Sequence, residues 1–166
     1  MMKFIRLFSK HVMRLKNTLY RRLKIFSLWC QYGSQFKFKK FHFREGFHVF
    51  IEDKGFVQIG KNCFFNLNCS ITARELIKIG NNCIFGENVK IYDHNHKYND
   101  LSIPICEQGF SSKEIIIEDN CWIASNSIIL KGVHIGANSV IGAGVIVYKD
   151  IPANSVIICR QDILKI

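Results

Sequence analysis

The fold of this chain is decided by residues 117–147, which read IEDNCWIASNSIILKGVHIGANSVIGAGVIV. An aliphatic residue recurs every six positions in this stretch, at Ile117, Ile123, Ile129, Ile135, Ile141 and Val147. A period of six fits neither an α-helix, which repeats every 3.6 residues, nor an alternating strand, which repeats every two. It predicts a coil that turns a corner every six residues, so that three short strands make one turn of a triangular solenoid.

The same register extends towards the N-terminus. It includes Ile59, Phe65 and Ile71 and, after two extra residues, Ile79, Phe85 and Ile91. Asn and Gly follow many of these positions, and both suit the tight corners that end a short strand. One coil alone cannot bury its inner face, so we expect the stack of coils to supply the core.

Four of the seven cysteines stand four positions after the repeated aliphatic residue: Cys63, Cys69, Cys83 and Cys121. Ser or Val stands there in other repeats, so the position predicts a small side chain that faces inward. We interpret these thiols as inert core residues and not as zinc ligands or nucleophiles, because ligands spread along a prism wall do not converge. The odd number of cysteines and the absence of a CxxC pair indicate the reducing cytoplasm.

The charge of the chain is uneven. Residues 1–50 contain 12 Lys and Arg and a single acid, Glu45, whereas residues 51–166 contain 11 Lys and Arg and 12 acids. A near-neutral body argues against nucleic acid as a partner. The longest apolar run near the basic head, Ile25–Cys30, is far shorter than the roughly 18 residues of a membrane span, so we predict a protein that is not integral to a membrane.

Residues 3–29 form an amphipathic helical pattern, with apolar side chains every three or four positions and Lys or Arg mainly on other faces. Such a helix is typical of packing against its own domain or a neighbouring subunit. It is also typical of peripheral membrane contact, here through residues 1–30 at the inner face of the membrane. The chain is therefore divided into a basic amphipathic segment at 1–40, a β-helix domain at 41–156 with a loop at 93–114, and a C-terminal tail at 157–166.

Several runs identify a family resemblance: Ile59-Gly60-Lys61-Asn62, Phe85 to Tyr92 leading to His96, Asp119 to Ala124, and Ile141 to Pro152. With these runs in order, Ile59–Ile151 resembles the hexapeptide-repeat acyltransferases, above all their galactoside, maltose and capsular-polysaccharide O-acetyltransferase branch. The resemblance implies an all-β solenoid, a left-handed parallel β-helix, that assembles as a homotrimer with active sites between prisms. It also implies acetyl-CoA as co-substrate, no metal, and a saccharide hydroxyl in bacterial surface polysaccharide biosynthesis as acceptor.

The strict repeat breaks once, after Ile91, in the stretch that contains His94 and His96. A long insertion adds nothing to a solenoid, so its presence indicates function. His96 stands seventeen residues after Ile79, the spacing of the catalytic histidine in the enzymes that the chain resembles, and the resemblance thus implies His96 as general base. His94 is the alternative. The HxxxxH spacing of γ-type carbonic anhydrases, which share the prism, does not occur among the six histidines.

The resemblance also implies an acceptor site. Asn66 stands where that branch has an asparagine that hydrogen-bonds the sugar, although a corner Asn that only stabilises the coil explains it too. Asp93 and His94 are assigned to the same site. Two further acceptor positions, acidic or serine in the branch, are Arg74 and Glu52 here, which argues against the same small galactoside.

For the donor, the matching positions are Trp122, Ser125, Ala143 and Lys149. The first three would line the groove for the pantetheine arm, and Lys149 would meet a coenzyme A phosphate. A core position is the alternative for Trp122. The segment Ile157-Ile158-Cys159-Arg160-Gln161 replaces the usual Gly-x-Pro-x-Arg or Lys, which leaves Arg160 as the candidate for the nucleotide end.

We predict from these residues an acetyl-CoA-dependent O-acetyltransferase acting on a saccharide. Three alternatives share the pattern: N-acetylation of an amino or nucleotide sugar, acetylation of a xenobiotic, and a prism that serves as a non-catalytic scaffold.

Overall fold

The chain begins with helix α1, Met2–Tyr32, in the computed structural model, which describes residues 2–52 and 54–159. A 3-10 turn at Gly33–Gln35 leads from the helix into a solenoid of short strands. Among the residues that the structure describes, no helix combines the length and apolar composition needed to cross a bilayer.

Sixteen strands form three parallel sheets, one for each face of the prism. The first face contains β1 (Phe36–Phe38), β4 (Phe56–Ile59), β7 (Leu76–Ile79), β12 (Ile115–Ile117) and β15 (His134–Ile135). The second face contains β2 (His42–Phe43), β5 (Phe64–Phe65), β8 (Ile84–Phe85), β13 (Trp122–Ile123), β16 (Val140–Ile141) and β18 (Val156–Ile157). The third face contains β3 (His48–Ile51), β6 (Ser70–Ala73), β9 (Lys90–Tyr92), β14 (Ile128–Ile129) and β17 (Ile146–Val147).

The chain passes from the first to the second face at corner one, from the second to the third at corner two, and back to the first at corner three. The predicted fold class is confirmed: a parallel β-solenoid with one N-terminal helix and one long loop, in keeping with a left-handed β-helix.

Asparagines make the first two corners possible. Eight of them have a positive φ near 60°: Asn62, Asn68, Asn82, Asn88, Asn120, Asn126, Asn138 and Asn154. Asn tolerates this left-handed conformation better than other residues with a Cβ atom. The side chains also bond along the stack, as when Asn120 Nδ2 donates to Asn138 Oδ1 at 2.9 Å. The positive φ of these asparagines and the hydrogen bonds between their side chains together stabilise corners one and two.

The repeated aliphatic residues fill the prism as predicted, because every one from Ile59 to Val147 is buried. The four cysteines that follow them are buried too, and their thiols are free. Each thiol also donates to a carbonyl of the next coil, for example Cys69 Sγ to Gly86 O at 3.0 Å and Cys63 Sγ to Gly80 O at 3.1 Å. Burial raises the pKa of Cys69 above its ordinary value, in keeping with an inert thiol.

Phenylalanine packs the coils nearest the helix. Phe65 and Phe85 stack in parallel with their ring centroids 4.3 Å apart. Phe41 and Phe47 occupy the same positions one coil below Cys63 and Cys69, and their larger rings fill the base of the prism. Six phenylalanines are thus buried in the core of the first three coils: Phe36, Phe41, Phe43, Phe47, Phe65 and Phe85.

The solenoid begins earlier than the predicted boundary at residue 41. Strand β1 pairs with β4 in full register, so the first coil starts at Phe36. The spacing from Phe38 to Phe43 in this coil is five instead of six, and only the step from Phe43 to Val49 keeps the period. The six-residue register therefore does not extend to the start of the coil.

Helix α1 closes the base of the prism. Leu28 and Tyr32 are buried against the first coil, and the ring of Tyr20 meets Phe43 edge-on at 6.1 Å. The Tyr32 hydroxyl lies 3.4 Å from the carbonyl oxygen of Val49. One of the two predicted roles of the helix, packing on its own domain, is therefore present in the structure.

We expect Asn120→Ala to lower the free energy of unfolding by about 1–2 kcal/mol. Alanine is disfavoured in the left-handed conformation, and it also loses the hydrogen bond to Asn138. Asn120→Gly should cost less than half as much, since glycine adopts a positive φ freely. Thermal and urea unfolding of the two variants would measure both. Equal losses would show that the side-chain ladder, and not the backbone conformation, dominates the corner.

Candidate active site

The long loop leaves the prism at corner three of the third coil, between β9 and β12. Its two arms are β10 (His94–His96) and β11 (Phe110–Ser112), which pair antiparallel, with His96 opposite Phe110. A short 3-10 turn at Ile105–Glu107 lies between them. Lys113 N donates to Asp93 O at 2.9 Å where the loop closes, so both histidines sit on an ordered hairpin.

Asp93 anchors the base of the hairpin. Its carboxylate is fully buried and accepts hydrogen bonds from the backbone N–H groups of Arg74, at 2.8 Å, and Glu75, at 2.8 Å. His94 Nδ1 lies 3.0 Å from Asp93 Oδ1. Because a buried carboxylate needs such partners, Asp93 ties the corner below to the first histidine. The structure places it behind His94, away from the open surface.

The two histidines have different surroundings. The side chain of His94 is only 12% exposed and touches the edge of the Phe110 ring. His96 is exposed, packs against Phe110 with ring centroids 4.3 Å apart, and lines a cavity of about 530 Å³. Lys97 and Lys131 are among the polar residues around this cavity. His96 is thus the histidine that an entering molecule would meet.

Phe110 is held from below by two residues that depart from the resembled branch. The Arg74 guanidinium carbon lies 3.5 Å from the centroid of the Phe110 ring, a cation–π contact. Arg74 Nε donates to Glu52 Oε2 at 2.7 Å, which fixes the guanidinium. Glu52 and Arg74 therefore form a platform for the ring that supports His96. The sequence showed only that these two positions differ, because their pairing across 22 residues follows from the stacking of the coils.

Lys131 fastens the other side of the loop. It follows β14 at corner three of the next coil, and its Nζ contacts both Ser111 Oγ and Ser111 O on β11. The hairpin is thus held by the coils below and above it. Lys131 and Phe110 are not among the residues predicted from the sequence. Their signals were the position of Lys131 at corner three of the coil after the loop and the place of Phe110 within the loop.

The residues predicted to bind the acceptor and the donor lie mostly on another edge. Asn66, Ser125 and Ala143 occupy corner two in the second, fourth and fifth coils, as the backbone bonds from Asn66 N to Phe85 O and from Ala124 N to Ile141 O show. Trp122 lies on β13 and is 52% exposed, so it faces outward and is not a core residue. Of the predicted donor residues, only Lys149, exposed and near the ring of Tyr148, shares corner three with Asp93 and the two histidines.

Asn66 and Ser125 already have partners at corner two. Asn66 Oδ1 accepts from Leu67 N at 2.9 Å and from Arg44 Nη1 at 3.1 Å, which fills its acceptor capacity. Any contact of Asn66 with a sugar would therefore use its Nδ2 group as donor. Ser125 Oγ accepts from Glu87 N at 3.1 Å.

The third face separates the two groups of predicted residues. Its strand β6 has four residues, so corners two and three lie at least about 10 Å apart at a rise of about 3.3 Å per residue. One chain therefore brings Asp93, His94 and His96 together but keeps them apart from Trp122, Ser125 and Ala143. Arg160 lies outside the described residues. Within the described part of the chain, no cluster of three His, Cys, Asp or Glu could hold a metal ion.

Comparison with known proteins supports the solenoid fold. Residues 114–149 match the family of the hexapeptide repeat of succinyl-transferase. Galactoside O-acetyltransferases of Lactococcus lactis and Escherichia coli are 37% and 40% identical over 101 residues, which is 60% of this chain and 47% and 48% of theirs. The chain thus spans about half the length of these relatives.

A solved structure also supports the solenoid fold. A hexapeptide-repeat acetyltransferase of Vibrio cholerae, complexed with acetyl coenzyme A, superposes with a TM-score of 0.67 and 27% identity over 81% of this chain and 71% of that one. The described residues thus form a hexapeptide-repeat β-helix. Its sequence is similar to that of galactoside O-acetyltransferases, which confirms the resemblance predicted from the sequence.

We expect Arg74→Gln to loosen the hairpin, because glutamine removes both the cation over Phe110 and the ion pair with Glu52. Hydrogen exchange of the Phe110–Ser112 amides should then be faster by about tenfold, the size of one lost cation–π contact with its ion pair. Lys61→Gln, which removes an exposed charge at corner one, is the matched control. Unchanged exchange in the Arg74 variant would rule out the platform.

Proposed function

We propose that this chain is an O-acetyltransferase that moves the acetyl group of acetyl-CoA to a hydroxyl of a saccharide, with His96 as general base. The observation that carries the proposal is the position of His96. It is an exposed imidazole at a cavity, on the long loop that interrupts a solenoid homologous to galactoside O-acetyltransferases. Loops held by a rigid scaffold commonly carry catalytic groups.

The reaction needs a base because a sugar hydroxyl is a weak nucleophile. Neutral imidazole can take its proton near neutral pH as the oxygen attacks the thioester carbonyl. Backbone N–H groups would stabilise the oxyanion that forms. When the tetrahedral intermediate collapses, the C–S bond breaks and the imidazolium returns the proton to the leaving thiolate. The products are an acetyl ester and free coenzyme A.

Phe110, Arg74 and Glu52 act on this step by positioning. They hold the His96 ring in place without touching the acceptor, and a positioned base removes the orientation cost of the reaction. Asp93 does the same for His94. We propose that His94 lines the acceptor site and that Asp93 supports it from behind through its contact with the His94 ring.

His94 is the second candidate for the base, because its contact with the buried Asp93 carboxylate is the arrangement that orients catalytic imidazoles elsewhere. Its low exposure argues against it, since a base must reach the hydroxyl proton. His96 meets that requirement, and the separate removal of the two rings tests the choice.

We propose that acetyl-CoA lies along corner two, against Trp122, Ser125 and Ala143. Lys149, at corner three of the copy that supplies His96, would meet a phosphate. Because corner two and His96 lie on different edges, a donor bound there reaches the base of a second copy. A homotrimer of prisms, in which each cleft combines corner three of one chain with corner two of its neighbour, satisfies this condition. No metal takes part in this chemistry.

The acceptor that we propose is a glycan of a bacterial surface polysaccharide, such as a capsule, O-antigen or exopolysaccharide. The cavity beside His96 supports a polar acceptor, because amides, hydroxyls and two lysines surround it. Asn66 would donate to the sugar from corner two. We place the reaction in the cytoplasm at the inner face of the membrane, where a lipid-linked saccharide would be within reach of the basic head.

We expect His96→Ala to lower the acetylation rate by about 10²–10⁴-fold, the usual contribution of a general base. Mass spectrometry of a saccharide panel with acetyl-CoA would measure the products of the wild type, His96→Ala, His94→Ala and the exposed control His48→Ala. Products that hydroxylamine cleaves are esters, and resistant ones are amides, which would favour N-acetylation instead. Full activity in His96→Ala with loss in His94→Ala would transfer the role to His94.

A second experiment tests the site between copies. His96→Ala and Ala143→Trp, a variant whose bulky side chain blocks the donor groove, should each be inactive alone. Mixed trimers from co-expression should recover about a quarter of wild-type activity. An active cleft needs an intact His96 from one chain and an intact Ala143 from its neighbour, and each of these is present in about half of the cases. No recovery would mean that one chain holds the whole site.

A further inference from the structure

One face of α1 carries an exposed apolar stripe. Its side chains are 47–64% exposed and follow one another at intervals of three or four residues, which places them on one side of the helix. The stripe consists of Phe8, Val12, Leu15, Leu19, Leu23, Phe26 and Trp29.

The stripe cannot turn inward to bury itself. The opposite side of the helix already packs on the first coil through the buried Leu28 and Tyr32. With seven large side chains half exposed, the stripe presents roughly 800 Å² of apolar surface, more than the largest patch on a typical monomer. A surface of this size indicates an interaction site.

The charge of the helix indicates its partner. The sequence of α1 contains eight Lys and Arg and no Asp or Glu. Two such helices would repel each other, and neither could offer the other an acidic partner. Arg22 also interrupts the stripe between Leu19 and Phe26, where an interface between copies would bury it without a counter-ion. An anionic lipid surface accepts both features, because arginine and lysine reach headgroup phosphates while their stems lie among apolar groups.

An apolar groove extends the stripe onto the solenoid. A cavity of about 580 Å³ lies between α1 and the first coil. Phe26 and Trp29 belong to the stripe and also line this cavity. Arg21, Arg22 and Lys40 also line it. Tryptophan and phenylalanine beside basic residues are typical of helices at the boundary of headgroups and acyl chains.

We propose that α1 docks the protein on an anionic phospholipid bilayer, with the stripe at the acyl boundary and the basic residues at the lipid phosphates. The helix lies in the plane of the membrane and does not cross it. The proposed function includes a contact with the membrane. The docking proposal specifies which residues make that contact and which lipids they bind. It holds for the full chain whether or not acetyl transfer is observed.

Vesicle flotation of the full-length protein tests the proposal. Phosphatidylcholine vesicles with about one third phosphatidylglycerol should bind the wild type, whereas pure phosphatidylcholine vesicles should not, and roughly 0.5 M salt should release much of the bound protein. Leu15→Ser with Leu19→Ser should weaken binding by about tenfold or more. The matched control is Val156→Ser with Ile158→Ser, which removes two equally exposed aliphatic side chains at the far end of the solenoid.

A third variant isolates the charges. Arg6→Gln, Lys10→Gln and Arg14→Gln together leave the stripe intact and should abolish the preference for anionic vesicles. Acetylation of a water-soluble saccharide should be unchanged in both helix variants, so a failed docking test and a failed proposed function are distinguishable. The proposal is overturned if the wild type ignores anionic vesicles, or if the Leu15 and Leu19 variant binds them normally. A lower oligomer mass of that variant in light scattering, with vesicle binding intact, would show instead that the stripe joins copies of the chain.

Discussion

The left-handed corner is the constraint on which the rest of the molecule depends. At corners one and two the chain turns through a residue with a positive φ, and asparagine supplies that residue eight times in the described part of the chain. Once the corners are fixed, every sixth side chain must point inward and every coil must lie on the one below. Gly60 shows how little room this leaves, because a Cβ atom there would lie 2.3 Å from the Gly80 carbonyl oxygen.

Stacked coils turn distant residues into neighbours. Glu52, Arg74 and Asp93 occupy corner three of three successive coils, so an ion pair, an aromatic platform and a buried carboxylate converge below the hairpin. The interruption after β9 adds the cavity beside His96, and the solenoid supplies the rigid support that a positioned imidazole requires. At corner three, the stacked coils thus serve as the support, and the loop hairpin carries the candidate catalytic histidine.

The period of six identified the fold, the inward cysteines and the loop, because each follows from local spacing. It did not reveal the first coil, since Phe38 and Phe43 are five residues apart. The contact of Arg74 with Phe110 also escaped prediction, because it depends on which coil lies above which and how the loop folds back. The resemblance to the O-acetyltransferases favoured His96 over His94, while the contact of His94 with Asp93 became visible only in three dimensions.

The helix at the base has a second consequence for the solenoid. The first strand of each sheet presents unpaired backbone groups, and a flat end of this kind recruits further strands from other molecules. By lying across the first coil, with the Tyr32 hydroxyl near the Val49 carbonyl oxygen, α1 shields this end. The same segment thus guards against end-to-end fibre growth with one side and presents its stripe with the other. Truncating it would confound aggregation with loss of docking, and substitutions confined to one side of the helix keep the two effects apart.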